Sequence, residues 1–352
     1  MTATPLTSLQ RTEAALSHRE PDRVPLFLML TTHGARALGM SIEAYFTRAE
    51  HVVEGQLRMR RAYHNDCLYP FCYAAQEVEA WGGEVIFSDN GPPNAGQPCI
   101  ARPEQIRTLE PPDIAAAPSL LRVLEATRQL HERSRGEAPI VGVVMGPCSL
   151  PVMQLGFEPY LRLIEEQPAL FERLMALNEA FCVAWARAQL AAGATAICFY
   201  DPMSSTTMVA PEWARRTSLP IARRTLSRIP GPTLFHFASG RCLPLAADLP
   251  ATGAAAVGVS VQEDLGALKA AFAGKLCVAG NLNGITMRRW SQAEAEAAVK
   301  AAIAAAGPGG GFILSDNHGE IPFQVAEETL LAIAEAAHRW GSYPLSWARP
   351  DA

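Results

Sequence analysis

The densest chemistry in this 352-residue chain is Asp316-Asn317-His318-Gly319-Glu320, three ionisable groups in five residues directly after the apolar run Phe312-Ile313-Leu314. A histidine flanked by two carboxylates can donate, accept or relay a proton. His236 interrupts a second apolar run, Leu234-Phe235-His236-Phe237, where it is either a hydrogen-bonded core residue or a member of a site. Asp201 follows a third run, Ala196-Ile197-Cys198-Phe199-Tyr200, and precedes Pro202, a pattern that also starts turns. Thr31-Thr32-His33, Asp66 with Tyr69, Cys148, Tyr200, Ser260 and Asn281 stand at comparable ends of apolar segments. No G-x-G-x-x-G, P-loop, H-E-x-x-H or G-x-S-x-G motif is present.

These residues need a scaffold that brings strand ends together. The runs Val24–Leu30, Ile140–Met145, Ala196–Tyr200, Thr233–Phe237, Ala255–Val259, Leu276–Ala279 and Phe312–Leu314 are continuously apolar, as parallel strands buried on both faces require. Amphipathic helices separate them. Pro168 opens one that Gly193 ends, Ser291 with Glu294 forms a capping box before another, and Val325–Trp340 is the last. Repeated strand–helix units predict a parallel α/β sheet, open or closed, and the length suits a single (β/α)8 TIM barrel over residues 1–352. Residues 1–22 read as an N-terminal extension, residues 77–100 as an inserted hairpin or lid, and 102–117 as a connector. In a barrel the candidate residues share the mouth at the carboxyl ends of the strands.

Hydrophobic residues make up 49% of the chain and charged residues 18%, which provides a core and excludes disorder as the main state. The net charge of −5, without a Lys/Arg-rich run, argues against a nucleic-acid partner. No apolar run is long enough for a bilayer and no signal peptide is evident, so no membrane association and a cytoplasmic location are expected. The eight cysteines form no C-x-x-C pair and read as reduced, small core residues.

An ordered series of segments resembles the uroporphyrinogen decarboxylase superfamily, in its branch of corrinoid-dependent methyltransferases. The series runs from Pro21-Asp22-Arg23-Val24-Pro25 through Val144-Met145-Gly146-Pro147-Cys148-Ser149-Leu150, then Gly193-Ala194-Thr195-Ala196 to Asp201-Pro202 and Ser204-Ser205. It continues with His236 and Gly240, Gly280-Asn281-Leu282, and Gly310-Gly311-Phe312-Ile313-Leu314-Ser315. The resemblance implies a (β/α)8 barrel. Decarboxylases of heme synthesis carry an arginine-rich M-R-Q-A-G-R stretch after the first strand. Here the place reads Met29-Leu30-Thr31-Thr32-His33-Gly34, with no arginine before Arg36. A polycarboxylate substrate needs that positive charge.

The methyltransferase branch implies a zinc site of the form H-x-C plus a later cysteine. His236 matches the histidine, but Ala238 stands in the cysteine position, and His318 in the later one. His236, His318 and Glu320 (or Asp316) remain as a nitrogen–oxygen zinc set, or as an acid–base cluster without metal. Cys242 is less suited, because it falls on the following helix. The function so implied is methyl transfer between a small O- or N-methylated donor and a corrinoid, with His236, His318, Glu320 and Asp201 catalytic. His33, Asp66, Tyr69, Tyr200, Asn281 and Asp316 would bind substrate. No D-x-H-x-x-G stretch is evident, so the corrinoid arrives on a separate carrier protein. A lyase decarboxylating a smaller acid, with Asp201 or Asp66 stabilising a cationic intermediate, and a catalytically silent binding barrel are the competing readings.

Overall fold

The computed structural model describes residues 5–348; residues 1–4 of the expected N-terminal extension lie outside that range. The described residues form nine strands: β1 Leu26–Phe27, β2 Val85–Ser88, β3 Gly91–Ala95, β4 Val141–Met145, β5 Ala196–Tyr200, β6 Thr233–His236, β7 Ala256–Gly258, β8 Cys277–Leu282 and β9 Phe312–Asp316. β2 and β3 pair as an antiparallel hairpin inside the segment expected to be inserted. The other seven form one parallel sheet in the order β1-β9-β8-β7-β6-β5-β4. All seven apolar runs became its strands. Their residues alternate between two cores: Ile197, Phe199, Val257, Val278, Phe312 and Leu314 join the layer under the helices, while Cys198, Ala256, Cys277, Ala279 and Ile313 join the inner cluster. Burial on both sides is why no polar alternation shows in the sequence.

The curled sheet is bridged between its edge strands by residues 65–69, where a closed barrel would carry an eighth strand. Asp66 N donates to Leu26 O at 2.8 Å, Leu68 N to Pro139 O at 2.9 Å, and Val141 N to Leu68 O at 2.9 Å. Side chains complete the seam. Asn65 clips both polar groups of Leu28, at 2.8 and 3.1 Å. Gln56 joins Leu30 O to Tyr69 N, and Gln189 clips Val143 N and O at 3.0 and 2.8 Å. Buried Glu77 accepts from Met145 N at 3.0 Å. Each clip satisfies a buried backbone group that a neighbouring strand would otherwise serve. Gly142 makes room for one of them: a Cβ there would meet Gln189 Oε1 at 2.6 Å.

The helix α1, Ser8–Leu16, closes the N-terminal end of the sheet. Its N-cap Thr7 and Gln10 form a capping box. Ala15 enters the inner cluster, and Thr12 and Leu16 border an apolar cavity of about 40 Å³ that extends up to His236. The predicted capping box at Ser291 and Glu294 is present, and the helix opened by Pro168 runs to Ala191. All eight cysteines are free thiols.

Candidate active site

Inward residues at the carboxyl ends of β1, β5, β6 and β9 meet in one cluster. His236 ends β6 and is 2% exposed. Its ring stacks on Tyr200, the last residue of β5, with centroids 5.2 Å apart and planes at 24°. The Ala238 N–H donates to His236 Nδ1 at 3.0 Å, from a backbone with φ of +53°. Gly258 and Gly319 lie against the ring edges: a Cβ at Gly258 would meet Cδ2 at 2.5 Å, and one at Gly319 would meet Cε1 at 3.3 Å.

The segment 316–320 folds over this stack. Asp316 Oδ2 accepts from the N–H groups of His318 and Gly319 at 2.7 and 2.8 Å, an aspartate-anchored turn. The carbonyls turn inward: Tyr200 donates its hydroxyl to His318 O, and Tyr69 to Gly319 O at 3.4 Å. Thr31, at the end of the first apolar run, donates to Glu320. Ile321 N then bonds Met29 O at 3.0 Å and fixes the exit of the loop. His318 is half-buried with Nδ1 unpartnered, as is Asp316 Oδ1.

Burial dominates the electrostatics. It lifts the Glu320 carboxyl to about 7, with Asp316 adding to the rise and the Thr31 hydroxyl opposing it. It lifts Asp316 to about 6 against the backbone donors that favour its ionised form. The same loss of water pushes His236 down to about 4, with His318 contributing, and lowers His318 as well. The centre is therefore a neutral imidazole pair beside carboxyls raised above their ordinary range, with Glu320 the one that reaches neutrality, a pattern suited to proton donation.

Several expected members lie elsewhere. Asp66 is at the opposite end of the sheet. It is 1% exposed and accepts from Arg11 at 2.7 Å, Arg23 at 2.6 Å, Ser8 at 2.8 Å and Leu26 N at 2.9 Å. Its position follows from chain direction: Asp66 begins the apolar segment that Tyr69 ends. His33 falls in the first turn of α2, His33–Leu38, with both ring nitrogens unpartnered and its ring beside Phe323. Burial first, and then Arg36, hold its pKa down to about 3.

Asp201 sits beside His236, and its N–H bonds His236 O at 2.9 Å, but its carboxyl points into a serine cage. Ser149 and Ser204 donate to it, at 2.5 and 2.8 Å, and burial lifts it to about 6. It is a positioning residue for the strand ends. Asn281 lies at the end of β8 with its amide donated to Ser260 O at 3.0 Å. Gly258 and Gly319 are the participants that motif reading passed over; Thr31, read as a strand-end residue, and Ala238, read in the cysteine position, were named without the roles they take here.

Among the described residues, no three His, Cys, Asp or Glu side chains are grouped so as to hold a metal ion. The expected zinc set of His236, His318 and Glu320 is not formed: His236 Nδ1 faces the Ala238 N–H, and Glu320 is held by Thr31. No helix among the described residues is long and apolar enough to cross a membrane.

Comparison with known proteins gives the arrangement a family. The model of uroporphyrinogen decarboxylase (URO-D) matches residues 7–340. The chain belongs to the URO-D family. Within it, the chain is 24% identical over 279 residues to a uroporphyrinogen decarboxylase of Thioalkalivibrio sulfidiphilus (strain HL-EbGR7), covering 75% of this chain and 76% of that protein. It is also 24% identical over 201 residues to the methylcobamide:CoM methyltransferase MtaA of Methanosarcina barkeri, covering 56% of this chain and 57% of that one. A methyltransferase from Methanosarcina mazei shares the fold with a TM-score of 0.86 at 20% identity, over 95% of this chain and 99% of that chain. These URO-D family relatives are enzymes of two kinds, methyltransferases and decarboxylases.

Proposed function

We propose that the protein is a corrinoid-dependent methyltransferase, moving a methyl group between a small methylated compound and a corrinoid held by a separate carrier protein. One observation carries this reading over decarboxylation of a polycarboxylate: among the described residues, no guanidinium stands beside the acids at the mouth, buried Asp316 and partly buried Glu320. Arg36, the arginine nearest the first strand end, donates instead to the carbonyls of Phe323 and Val325 and lies 4.5 Å over the Phe323 ring. A site that must grip several carboxylates needs paired cations, and this one offers proton donors. Demethylation leaves an alcohol or amine, a leaving group that a positioned acid assists. Glu320 is that acid, with Thr31 fixing its carboxyl and Tyr69 and Tyr200 fixing the loop that carries it. Among the described residues, those at the mouth do not make a zinc site.

The similarity to uroporphyrinogen decarboxylases keeps a carboxy-lyase acting on a small acid as the second reading. A single assay separates the two. The protein is incubated with Co(I) corrinoid and a panel of methylated donors, and in parallel with small carboxylic acids. Methyl transfer seen in the corrinoid spectrum supports the first reading; carbon dioxide release without methyl transfer overturns it in favour of the second.

A further inference from the structure

We propose, resting on the methyl-transfer reading, that His236 is a fixed N–H donor and that the compound it serves is a neutral, oxygen-linked methyl donor, not a methylammonium ion. The argument begins with Ala238. Its N–H points at His236 Nδ1 from 3.0 Å, and a ring nitrogen accepts such a bond only when it carries no proton. The proton of the neutral ring therefore sits on Nε2. The same bond sets which way the ring is turned: reversed, it would put the Cδ2 carbon against the Ala238 N–H and lose the contact. Tyr200 stacks on one face, and Gly258 and Gly319 leave at its edges the space that a methyl group on either would fill. The Nδ1 contact is the one side-chain hydrogen bond His236 makes among the described residues, so Nε2–H has no protein partner and, unlike Nδ1 of His318, is not sealed from solvent. A compound that displaces water from this donor must supply the acceptor itself.

That requirement sorts substrates. An ether oxygen offers a lone pair to Nε2–H. A tetraalkylammonium nitrogen has none, and a protonated methylamine brings a competing N–H. Cation recognition would instead use a free aromatic face or an unengaged carboxylate. Here one face of Tyr200 is covered by His236, Asp316 Oδ2 is turned onto the His318 and Gly319 N–H groups, and the unpartnered Asp316 Oδ1 is closed off from the surface. In the transfer, the methyl carbon–oxygen bond breaks with its electron pair on oxygen. The methyl carbon is taken by the electron pair of the reduced corrinoid on the carrier protein. The oxygen, held by Nε2–H, receives the Glu320 proton and departs as an alcohol or phenol, and Glu320 regains a proton from solvent.

Long-range proton–nitrogen NMR on the histidine-labelled full chain tests this, with His236→Ala assigning the signals. The expected result is the Nε2–H tautomer. Titration with 2-methoxyphenol should shift the His236 resonances and saturate, while tetramethylammonium over the same range should leave them unmoved. His236→Gln, whose amide can place an N–H near Nε2, should bind 2-methoxyphenol within a few-fold of wild type. His236→Asn, whose amide reaches only the Nδ1 position, should bind at least about tenfold more weakly. An Nδ1–H tautomer, stoichiometric zinc binding at His236, a response to tetramethylammonium, or a response to neither compound each overturns the proposal. None of these readouts depends on turnover. If they hold while Co(I) corrinoid accepts no methyl group, the functional reading fails and the assignment of the donor survives.

Discussion

At the amino end of the sheet, Asp66 receives two guanidiniums, a hydroxyl and a backbone N–H. At the carboxyl end, Asp316 and Glu320 receive backbone N–H groups and one hydroxyl, and no cation. Both ends bury carboxyl groups, but only one neutralises them with charge. The difference separates two uses of a buried acid. Arg11 also pairs with Asp22 at 2.7 Å, and that network ties α1 and the first strand to the seam segment. Leaving any member unpaired there is expensive. At the mouth burial raises the acids with no cation among the described residues to oppose it, and Glu320, at about 7, is able to give a proton away near neutrality.

The largest expected effect is at the amino end. Asp66→Ala strands Arg11 and Arg23 in a buried setting and should lower unfolding free energy by about 3–5 kcal/mol in a denaturant titration. A variant of wild-type stability that has lost only activity would break the comparison. Glu320→Gln tests the other end. It should reduce kcat for methyl transfer by about 100-fold with little loss of stability.

The pH responses should run in opposite directions. Burial favours the neutral form of Asp22, but the Arg11 guanidinium outweighs it and holds the pKa below the ordinary 3.8. Its stabilisation is present above pH 3.8 and is lost as pH falls through the lowered value. Glu320 is raised from 4.5 to about 7. Its contribution is complete below pH 4.5 and is lost as pH rises to 7. Melting curves of Glu320→Gln and wild type should therefore diverge in favour of the variant between pH 5 and 8. The activity of wild type should decline through pH 7, and that limb should be absent in the variant.

Gln189→Ala removes two seam bonds and should cost about 1–3 kcal/mol with the mouth chemistry intact, read as a shift in denaturation midpoint. The smallest effect belongs to Ala238→Gly. It keeps the N–H that fixes His236 and relieves the left-handed backbone, so stability should rise by less than about 1 kcal/mol and the His236 tautomer should not change.

Sequence periodicity exposed most of the scaffold for a physical reason. A strand buried on both faces leaves an unbroken apolar run, and all seven such runs became strands. The seam was hidden because side chains far away in sequence, Gln56, Gln189 and Glu77, serve part of its backbone and that of the facing edge strand, and they leave no local pattern. At the mouth, His236, Tyr200, His318 and Glu320 were legible as strand-end residues. Asp66 misled because an acid before an apolar run and one after it look alike until strand direction is applied. His33 misled because Thr32 and His33 already begin a helix. Zinc misled because ligand residue types carry no information about the Ala238 N–H, a backbone group, that faces His236 Nδ1.

The seam carries an implication for how this wall can vary. Backbone hydrogen bonds between strands are made by every residue type except proline, so substitution rarely reaches them. At the seam, alongside three backbone bonds of residues 66 and 68, the contacts of Leu28, Leu30, Tyr69, Val143 and Met145 are written in Asn65, Gln56, Gln189 and Glu77. A single codon change can cut these side-chain contacts. Inheritance can thus tune how tightly the sheet is shut without touching a strand, and labels that report transient opening, such as amide deuterium uptake at Leu28, Tyr69 and Val143, should register that tuning first.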